Sequence, residues 1–354
     1  MHSYLQSRGH NIQLLNLPAT RYPRKRLLSR PDIVKTIIAG KIRLERTELL
    51  KNKIRLKLAG EILRNEIDLF IPNVILCENI FAGHVAIDTV GDSVPVITDV
   101  HSIVSAEYEG DTFRKIIKEQ ADYLKQVEDL VFRCSSKVIA VSHLMKTYIA
   151  EKHGVNNARL YVIPNGSDIR EQTAQYRDPL RVIYGGAFAY YENIDSYLDL
   201  AKRNERYAFY LAGDGPLRKH VFRRIRDERI NLHYLGYLKY SDSIAEFANM
   251  NVGVMPAVET LNIRMTYPVK VFDYLSCGLP VITPDFGEWS KVVAKTRCGL
   301  VTRTSNAEEF YECLRSLDRC TWQEMSSNGL RLIREEFNWN SLLRKLDEIV
   351  DPFR

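Results

Sequence analysis

Short apolar segments alternate with helical patterns along most of the chain, and this alternation limits the possible folds more than any single motif. Each segment is followed by turn residues or by a helix signal, which is typical of parallel strands buried under helices. In the first half the predicted strands are residues 11–17, 67–70, 94–98, 138–141 and 160–163. The pattern therefore predicts an α/β protein built on parallel sheets.

The alternation restarts after residues 167–179, a polar stretch without periodicity that predicts a linker. A second series of strands is predicted at residues 181–184, 207–212, 232–235, 252–255, 281–283 and 300–302. Helices are predicted at residues 193–203, 217–227, 241–249, 307–317, 322–335 and 339–350.

A chain of 354 residues is expected to form more than one domain. We predict two Rossmann-like domains, at residues 1–170 and 171–336, and a C-terminal helix at 337–354 that packs back across their junction. Ligands of such sheets bind outside the carboxyl ends of the strands, so the expected site is a central cleft that both domains face.

Positive charge is concentrated in one region. Residues 21–64 contain fourteen Lys and Arg and four acids, a local net charge of +10, whereas the whole chain carries +6. Apolar residues interleave with these cations, which predicts either contact with an anionic membrane surface or a solvated helix face over a domain edge. No recognised nucleic-acid-binding motif accompanies the charge, which argues against a nucleic-acid partner.

Signals for export or membrane insertion are not evident in the sequence. A spanning helix needs about 18 consecutive apolar residues, and the first ten residues lack the basic-then-apolar order of a signal peptide. The six cysteines show no metal-type spacing. We expect a reduced cytoplasmic protein, peripheral on the inner face of the membrane if residues 21–64 bind lipid.

The run YPVKVFDYLSCGLPVI at residues 267–282 carries a specific chemical signal. Pro268 suits the first position of a helix and Gly278 suits a left-handed stop, so a helix of about ten residues is predicted between them. Lys270 and Asp273 then share one face near free N–H groups that favour a phosphate. This indicates a nucleotide diphosphate site, with Lys270 supplying charge and Asp273 binding ribose hydroxyls. The alternative is an amphipathic helix whose Lys and Asp are simply solvated.

Glycine-rich turns follow two predicted strands of the second half. Gly185-Gly186 and Gly213-Asp214-Gly215 would let a ligand approach the backbone closely and meet its N–H groups. Glycine also occurs in such turns for conformational reasons alone. Neither turn fits GxGxxG, and the chain has no GxxxxGK[ST] loop, which disfavours dehydrogenases and NTPases.

Two polar side chains follow strands of the first half. His101 closes the segment PVITDVH, where it would project into the cleft or be hydrogen-bonded in a loop. Ser142 follows the predicted strand 138–141, and a helix-capping role is favoured there over chemistry. A Ser hydrolase is disfavoured because no GxSxG elbow is present, and no DxD or His/Cys cluster indicates a metal ion.

Taken in order, several segments resemble the retaining GT-B glycosyltransferases of family 4, the glycosyl transferases group 1 set. The matching segments are DVH at 99–101, VIAVS at 138–142, VIPNG at 162–166, LAGDGP at 211–216, LGY at 235–237, PVKVFDYLSCGLPVI at 268–282 and CGL at 298–300. The resemblance implies a nucleotide-diphosphate sugar donor on the C-terminal domain and a glycan or lipid-linked acceptor on the N-terminal domain. It also implies transfer with retention, without a metal or other cofactor.

Carried over by position, the resemblance assigns catalytic roles to three residues. His101 would lie beside the transferring sugar, Lys270 would face the diphosphate and Asp273 would bind the ribose hydroxyls. The other implied donor-binding residues are Gly185, Gly186, Gly213, Gly215, Gly236, Tyr237, Leu238, Pro268 and Val269. Among these, residues 236–238 would hold the base through backbone contacts.

The chain departs from the family pattern in three places. Met265 stands where the first of two acids is usual, and Gly186-Ala187 and Tyr191-Glu192 replace an Arg and a Lys, so Arg264 or Lys270 would have to compensate. The family's first strand has no counterpart, so we expect a natural start upstream of Met1 or an inactive chain as written. Two alternatives stay open: a regulatory nucleotide-sugar-binding protein and, less favoured, a nucleotide-sugar epimerase.

Overall fold

The computed structural model describes residues 1–15, 46–109, 118–203 and 206–353. The chain divides into two compact units. The first comprises Met1–Ala140, Lys146–Val162 and Asp347–Arg354, and the second comprises Val141–Met145 and Ile163–Leu346. Each unit contains one parallel sheet, which confirms the predicted α/β class.

Four parallel strands in the order β1-β2-β3-β4 form the sheet of the first unit. They are β1 (Ile75–Glu78), β2 (Val96–Val100), β3 (Lys137–Ala140) and β4 (Leu160–Val162). The helices of this part of the chain are α1 (His2–Ser7), α2 (Arg46–Phe70), α3 (Ile80–Val90), α4 (Val104–Glu109), α5 (Lys118–Cys134) and α6 (His143–His153). All five residues of β2 are buried, as expected of a strand with neighbours on both sides.

Helix α3 shows how local sequence fixes an element beside this sheet. Asn79 precedes it, and its side-chain oxygen accepts hydrogen bonds from the N–H groups of Phe81 (3.0 Å) and Ala82 (3.2 Å). Gly83 lies against Thr98 of β2, and a Cβ atom there would come within 2.7 Å of the threonine hydroxyl oxygen. The cap and the small residue together let α3 pack directly on the sheet.

Six parallel strands in the order β10-β9-β8-β5-β6-β7 form the sheet of the second unit. They are β5 (Arg181–Gly185), β6 (Ala208–Ala212), β7 (His233–Gly236), β8 (Val252–Val254), β9 (Val281–Pro284) and β10 (Gly299–Thr302). The helices of this part of the chain are α7 (Ile194–Lys202), α8 (Arg218–Asp227), α9 (Tyr240–Phe247), α10 (Leu261–Met265), α11 (Val269–Ser276), α12 (Glu288–Thr296), α13 (Ala307–Ser316), α14 (Arg319–Leu332), α15 (Trp339–Leu343) and α16 (Lys345–Val350). The last of these, α16, begins in the second unit and continues into the first. Residues 339–350, predicted as one helix, therefore form two.

The strand order of the second unit reverses at β5. From β5 the chain builds β6 and β7 on one side, and it then returns to add β8, β9 and β10 on the other. In open parallel sheets the crevice at such a reversal, outside the carboxyl ends of the strands, is the usual ligand position. The turn Gly185-Gly186 lies at that point, directly after β5.

Two predicted strands are wrong. Residues 67–70 form the last turn of α2, and the strand lies further along, at Ile75–Glu78. A short apolar run does not distinguish a strand from the end of a helix, and Leu69 is 81% exposed, unlike a central strand residue. Residues 11–15 of the predicted strand 11–17 have no strand structure, and residues 16 and 17 lie outside the described residues.

The stretch 167–179, predicted as a linker, packs into the second unit. Ser167 is fully buried, and the N–H of Ala174 donates to the carbonyl of Cys277 at 2.8 Å. Of the basic segment 21–64, residues 21–45 lie outside the described residues and residues 46–64 belong to α2. No helix within the described ranges is both long and apolar enough to cross a membrane.

Candidate functional site

Three glycine-containing turns meet at the carboxyl ends of β5, β6 and β7. The N–H of Gly186 donates to the carbonyl of Ala212 (3.0 Å), and the N–H of Gly213 donates to the carbonyl of Gly236 (2.8 Å). Gly213 has φ +134°, and a Cβ atom there would lie 1.8 Å from the carbonyl oxygen of Gly186. Only glycine fits this approach, so the turns can meet directly through their backbones.

Gly215 and Gly185 belong to the same arrangement. A Cβ atom on Gly215 would come within 2.6 Å of the Phe188 carbonyl oxygen, so the β6 turn also packs against the loop after β5. The N–H of Gly185 donates to the buried hydroxyl of Tyr274 at 2.7 Å. Tyr274 belongs to α11, so this hydrogen bond joins the turn after β5 to α11.

The loop after β7 is more open. Gly236 has φ +84° with free space around its α-carbon, and the Tyr237 side chain is 77% exposed. Leu238 is half-buried. The Gly236 carbonyl accepts the Gly213 N–H, which ties the start of this loop to the turn after β6.

Helix α11 begins one residue later than the sequence predicts. Pro268 precedes the first helical turn with φ −64°, Val269 is the first helical residue, and Gly278 follows the end of the helix with φ +77°. Residues 271–276 are buried, so the apolar face of the helix packs into the core of the second unit. The exposed part of α11 is its N-terminal turn, where unpaired N–H groups favour an anion.

Lys270 does not extend into solvent. Its ammonium forms an ion pair with the Glu192 carboxylate, and the two side chains are 14% and 7% exposed. The ammonium lies 4.9 Å from the centre of the Tyr184 ring. A Cβ atom on Gly186 would come within 2.7 Å of the Lys270 Nζ atom, so the cation lies directly against the glycine turn.

Asp273 is buried among hydrogen-bond donors. Its Oδ1 atom accepts from the Ser167 hydroxyl (2.7 Å) and from the Tyr240 hydroxyl (2.8 Å). Arg170 donates to the Tyr240 hydroxyl in turn at 2.9 Å. Burial raises the pKa of Asp273 above its ordinary value, although the hydrogen bonds from Ser167 and Tyr240 and the charge of Arg170 oppose this rise.

The structure brings together the glycine turns, Lys270 and the start of α11, but Lys270 and Asp273 contact different partners. The sequence places Glu192 where the family has a cation, but it does not indicate that Glu192 pairs with Lys270, and it gives no sign of Tyr240 or Ser167. Glu192 and Lys270 are 78 residues apart, and Tyr240 and Asp273 are 33 apart, so no local pattern reveals either pair.

The residues around Met265 are also partnered within the second unit. Met265 is 2% exposed and its carbonyl accepts from the Ser142 hydroxyl, whose oxygen also accepts the N–H of Met145. This confirms Ser142 as a helix cap. Arg264 pairs with Glu259, and no contact among the described residues joins it to Lys270.

His101 belongs to the first unit and follows the end of β2 directly. Its Nε2 atom lies 3.5 Å from Oδ2 of Asp99, and the two side chains are 45% and 8% exposed. A buried carboxylate beside a half-exposed imidazole can orient the ring. Across the described parts of the chain, no group of three or more His, Cys, Asp or Glu side chains is arranged to hold a metal ion.

Comparisons with known families and curated proteins cover both units. The family model "Glycosyltransferase Family 4" matches residues 1–171, and "Glycosyl transferases group 1" matches residues 179–318. A chitobiosyldiphosphodolichol beta-mannosyltransferase of Kluyveromyces lactis is 23% identical over 59% of this chain and 55% of its own length. A glycogen synthase of Mycobacterium tuberculosis is 19% identical over 77% of this chain and 66% of its own length. The chain thus spans between about half and two thirds of the length of these curated relatives.

Solved structures share the fold at low sequence identity. A sucrose-phosphate synthase from Thermosynechococcus elongatus superimposes with a TM-score of 0.74 at 15% identity, over 89% of this chain and 82% of that one. Anabaena HepE in complex with UDP-glucose superimposes with a TM-score of 0.69 at 16% identity, over 83% of this chain and 82% of that one. The two family models, which between them account for most of the chain, and the two-sheet architecture agree. The chain therefore belongs to the family 4, group 1 glycosyltransferases and has their GT-B fold.

Proposed function

We propose that the protein is an enzyme that transfers a sugar from a nucleotide-diphosphate sugar to an acceptor hydroxyl. The proposal depends most on one observation, the meeting of the glycine turns at the strand reversal with Lys270 packed against Gly186. Close backbone approach, N–H groups at a helix start and an adjacent cation suit a diphosphate. Membership of the family supports the same activity.

In this proposal the residues of the second unit divide the donor between them. The diphosphate lies against the glycine turns and the first turn of α11, where Lys270 stabilises the charge that develops on the leaving group. Asp273 binds the ribose through Oδ2, because its Oδ1 atom already accepts from Ser167 and Tyr240. The backbone of Tyr237 and Leu238 holds the base.

We propose a uridine diphosphate sugar as the first donor to test, since the HepE neighbour was solved with UDP-glucose. A lipid-linked or polysaccharide acceptor is proposed from the names of the curated relatives, a chitobiosyldiphosphodolichol mannosyltransferase and a glycogen synthase. We also propose metal-independent transfer with retention, in a cytoplasmic protein that is peripheral on the membrane. His101, oriented by Asp99, is proposed to act at the transferring sugar.

The test is release of nucleoside diphosphate from a panel of nucleotide sugars, with and without lipid-linked and polysaccharide acceptors. We expect acceptor-dependent release that persists with a chelator, and a loss of about a hundredfold or more in His101→Ala and in Asp273→Asn. The anomeric configuration of the product, read by NMR, decides between retention and inversion. Binding of no nucleotide sugar or diphosphate by the unsubstituted chain would contradict the donor site itself.

A regulatory protein that binds a nucleotide sugar without turnover is the second candidate function. The pairing of Lys270 with Glu192 favours it, because the cation that should stabilise the leaving diphosphate is already neutralised. This candidate would be supported if a nucleotide sugar raises the thermal stability of the protein and no diphosphate is released with any of the acceptors tested. Exchange of sugar configuration without release of diphosphate would instead indicate an epimerase.

A further inference from the structure

The Lys270–Glu192 ion pair is largely enclosed by protein. Glu192 ends a short turn (Tyr190–Glu192) after β5, and its residue is 5% exposed. Lys270 reaches it from the first turn of α11, across the Gly186 backbone. Among the described residues, the Lys270 ammonium contacts one carboxylate, that of Glu192, and lies over one aromatic ring, that of Tyr184.

Enclosure gives the pair two consequences. Two charges removed from water require each other, so Glu192 fixes where the Lys270 ammonium lies. Glu192 also cancels the positive charge at the glycine turn, at the position where a diphosphate would need it. A carboxylate this close to a bound phosphate repels it, and the repulsion is strong where water is excluded.

We propose that Glu192 is a positioning residue of the donor site that also weakens its hold on the nucleoside diphosphate. The carboxylate keeps the Lys270 ammonium against Gly186 and reduces the net charge that the diphosphate meets. The ammonium is therefore held in place, but the net charge beside the diphosphate is low and the free product dissociates readily. This inference rests on the proposed function, because it takes the diphosphate to bind at the glycine turns.

Glu192→Gln is the direct test, since the amide oxygen can still accept a hydrogen bond from Lys270 while the negative charge is removed. Calorimetry with UDP and GDP is expected to show about tenfold tighter binding than in the unsubstituted chain. Glu192→Asp, which keeps the charge, should not bind more tightly. The matched control is Glu228→Gln, which removes a carboxylate paired with Arg224 and Lys202 on the surface of the same unit. It should leave the affinity unchanged.

A purely structural role for Glu192 predicts a loss of stability without any gain in affinity. Unchanged or weaker diphosphate binding in Glu192→Gln would therefore overturn the proposal. Failure of the unsubstituted chain to bind either nucleotide would instead overturn the proposed function. The two failures are thus separate.

The unsubstituted chain allows a second measurement if Glu192→Gln does not fold. Because the charge of Lys270 is cancelled, the second phosphate should add little affinity, and UDP should bind less than about thirtyfold more tightly than UMP. A larger ratio would show an uncompensated cation at the diphosphate and would overturn the proposal.

Discussion

The Tyr240 hydroxyl donates a 2.8 Å hydrogen bond to Oδ1 of Asp273, the same oxygen that accepts from Ser167. Among the described residues, none donates to the other carboxylate oxygen, Oδ2. One oxygen is thus held by two donors of the protein, and the other is the one proposed to bind the ribose. Burial of the Tyr240 hydroxyl and, after it, the charge of Asp273 raise the pKa of Tyr240 to about 12, so this tyrosine stays a donor at neutral pH.

Removing the Tyr240 hydroxyl should weaken recognition of ribose specifically. In Tyr240→Phe we expect UDP to bind about five- to tenfold more weakly, because Asp273 loses one of its two orienting bonds. Binding of 2′-deoxy-UDP should change little, so the measured ribose preference should shrink. Tyr311→Phe, on α13, is the control and should keep the preference. An equal loss for both nucleotides would contradict the assignment of Asp273 to the ribose.

Breaking the buried ion pair from the lysine side should destabilise the second unit. Lys270→Met leaves the Glu192 carboxylate buried without a counter-ion, and we expect a loss of about 3–5 kcal/mol in the free energy of unfolding. The double variant Lys270→Met/Glu192→Gln should recover part of this loss in urea denaturation. Lys202→Met, which removes an exposed partner of Glu228, should cost less than about 1 kcal/mol. Strictly additive single losses would argue against the pair.

A methyl group on Gly213 should disrupt the glycine turns. Its Cβ atom would lie 1.8 Å from the Gly186 carbonyl oxygen, so the turns must move apart. We expect Gly213→Ala to lower the free energy of unfolding by more than about 2 kcal/mol and to bind nucleotide poorly. Gly154→Ala also adds a methyl group at positive φ, but in open space, and should cost about 1 kcal/mol. Similar losses in the two variants would show that backbone strain alone is responsible.

His153 predicts a pH dependence of stability in the first unit. Burial lowers its pKa below the ordinary value of 6.5, against the opposing hydrogen bond and charge of Asp129. A lowered folded pKa means that the folded state binds fewer protons, so stability is present above about pH 6.5 and declines as the pH falls through the folded pKa. Melting temperatures between pH 7.5 and 5 should therefore fall less steeply in His153→Gln. Parallel curves would contradict this prediction.

The sequence predicts the sheets well where burial forces strands to be apolar. The predicted strands 138–141 and 181–184 lie within one residue of β3 and β5 because their residues are buried on both faces. Residues 67–70 were mistaken for a strand because the end of a long amphipathic helix can contain the same short apolar run. Both ends of α11 are also predictable to within about one residue, since proline marks its start and glycine its end through local backbone preferences.

The partners of the candidate site were not predictable in the same way. Lys270 is expected from the sequence to meet solvent or a phosphate, but the fold brings Glu192 to it from the turn after β5. Asp273 likewise meets Ser167, which lies in a stretch that looks like a polar linker in the sequence. Such contacts depend on which loops the strand order places side by side, and residue spacing does not encode that order.

The division of the chain into units has a practical consequence for cutting it. The last residues belong to the first unit, where Tyr4 bonds to Asp347 and Lys137 bonds to the carbonyl of Ile349, each at 2.9 Å. The second unit in turn includes Ser142 and its bond to Met265. No single break in the polypeptide therefore releases either unit whole. A fragment that ends at residue 346 would lack Asp347–Arg354, which belong to the first unit. An isolated second unit therefore needs a circularly permuted or co-expressed design that supplies Val141–Met145.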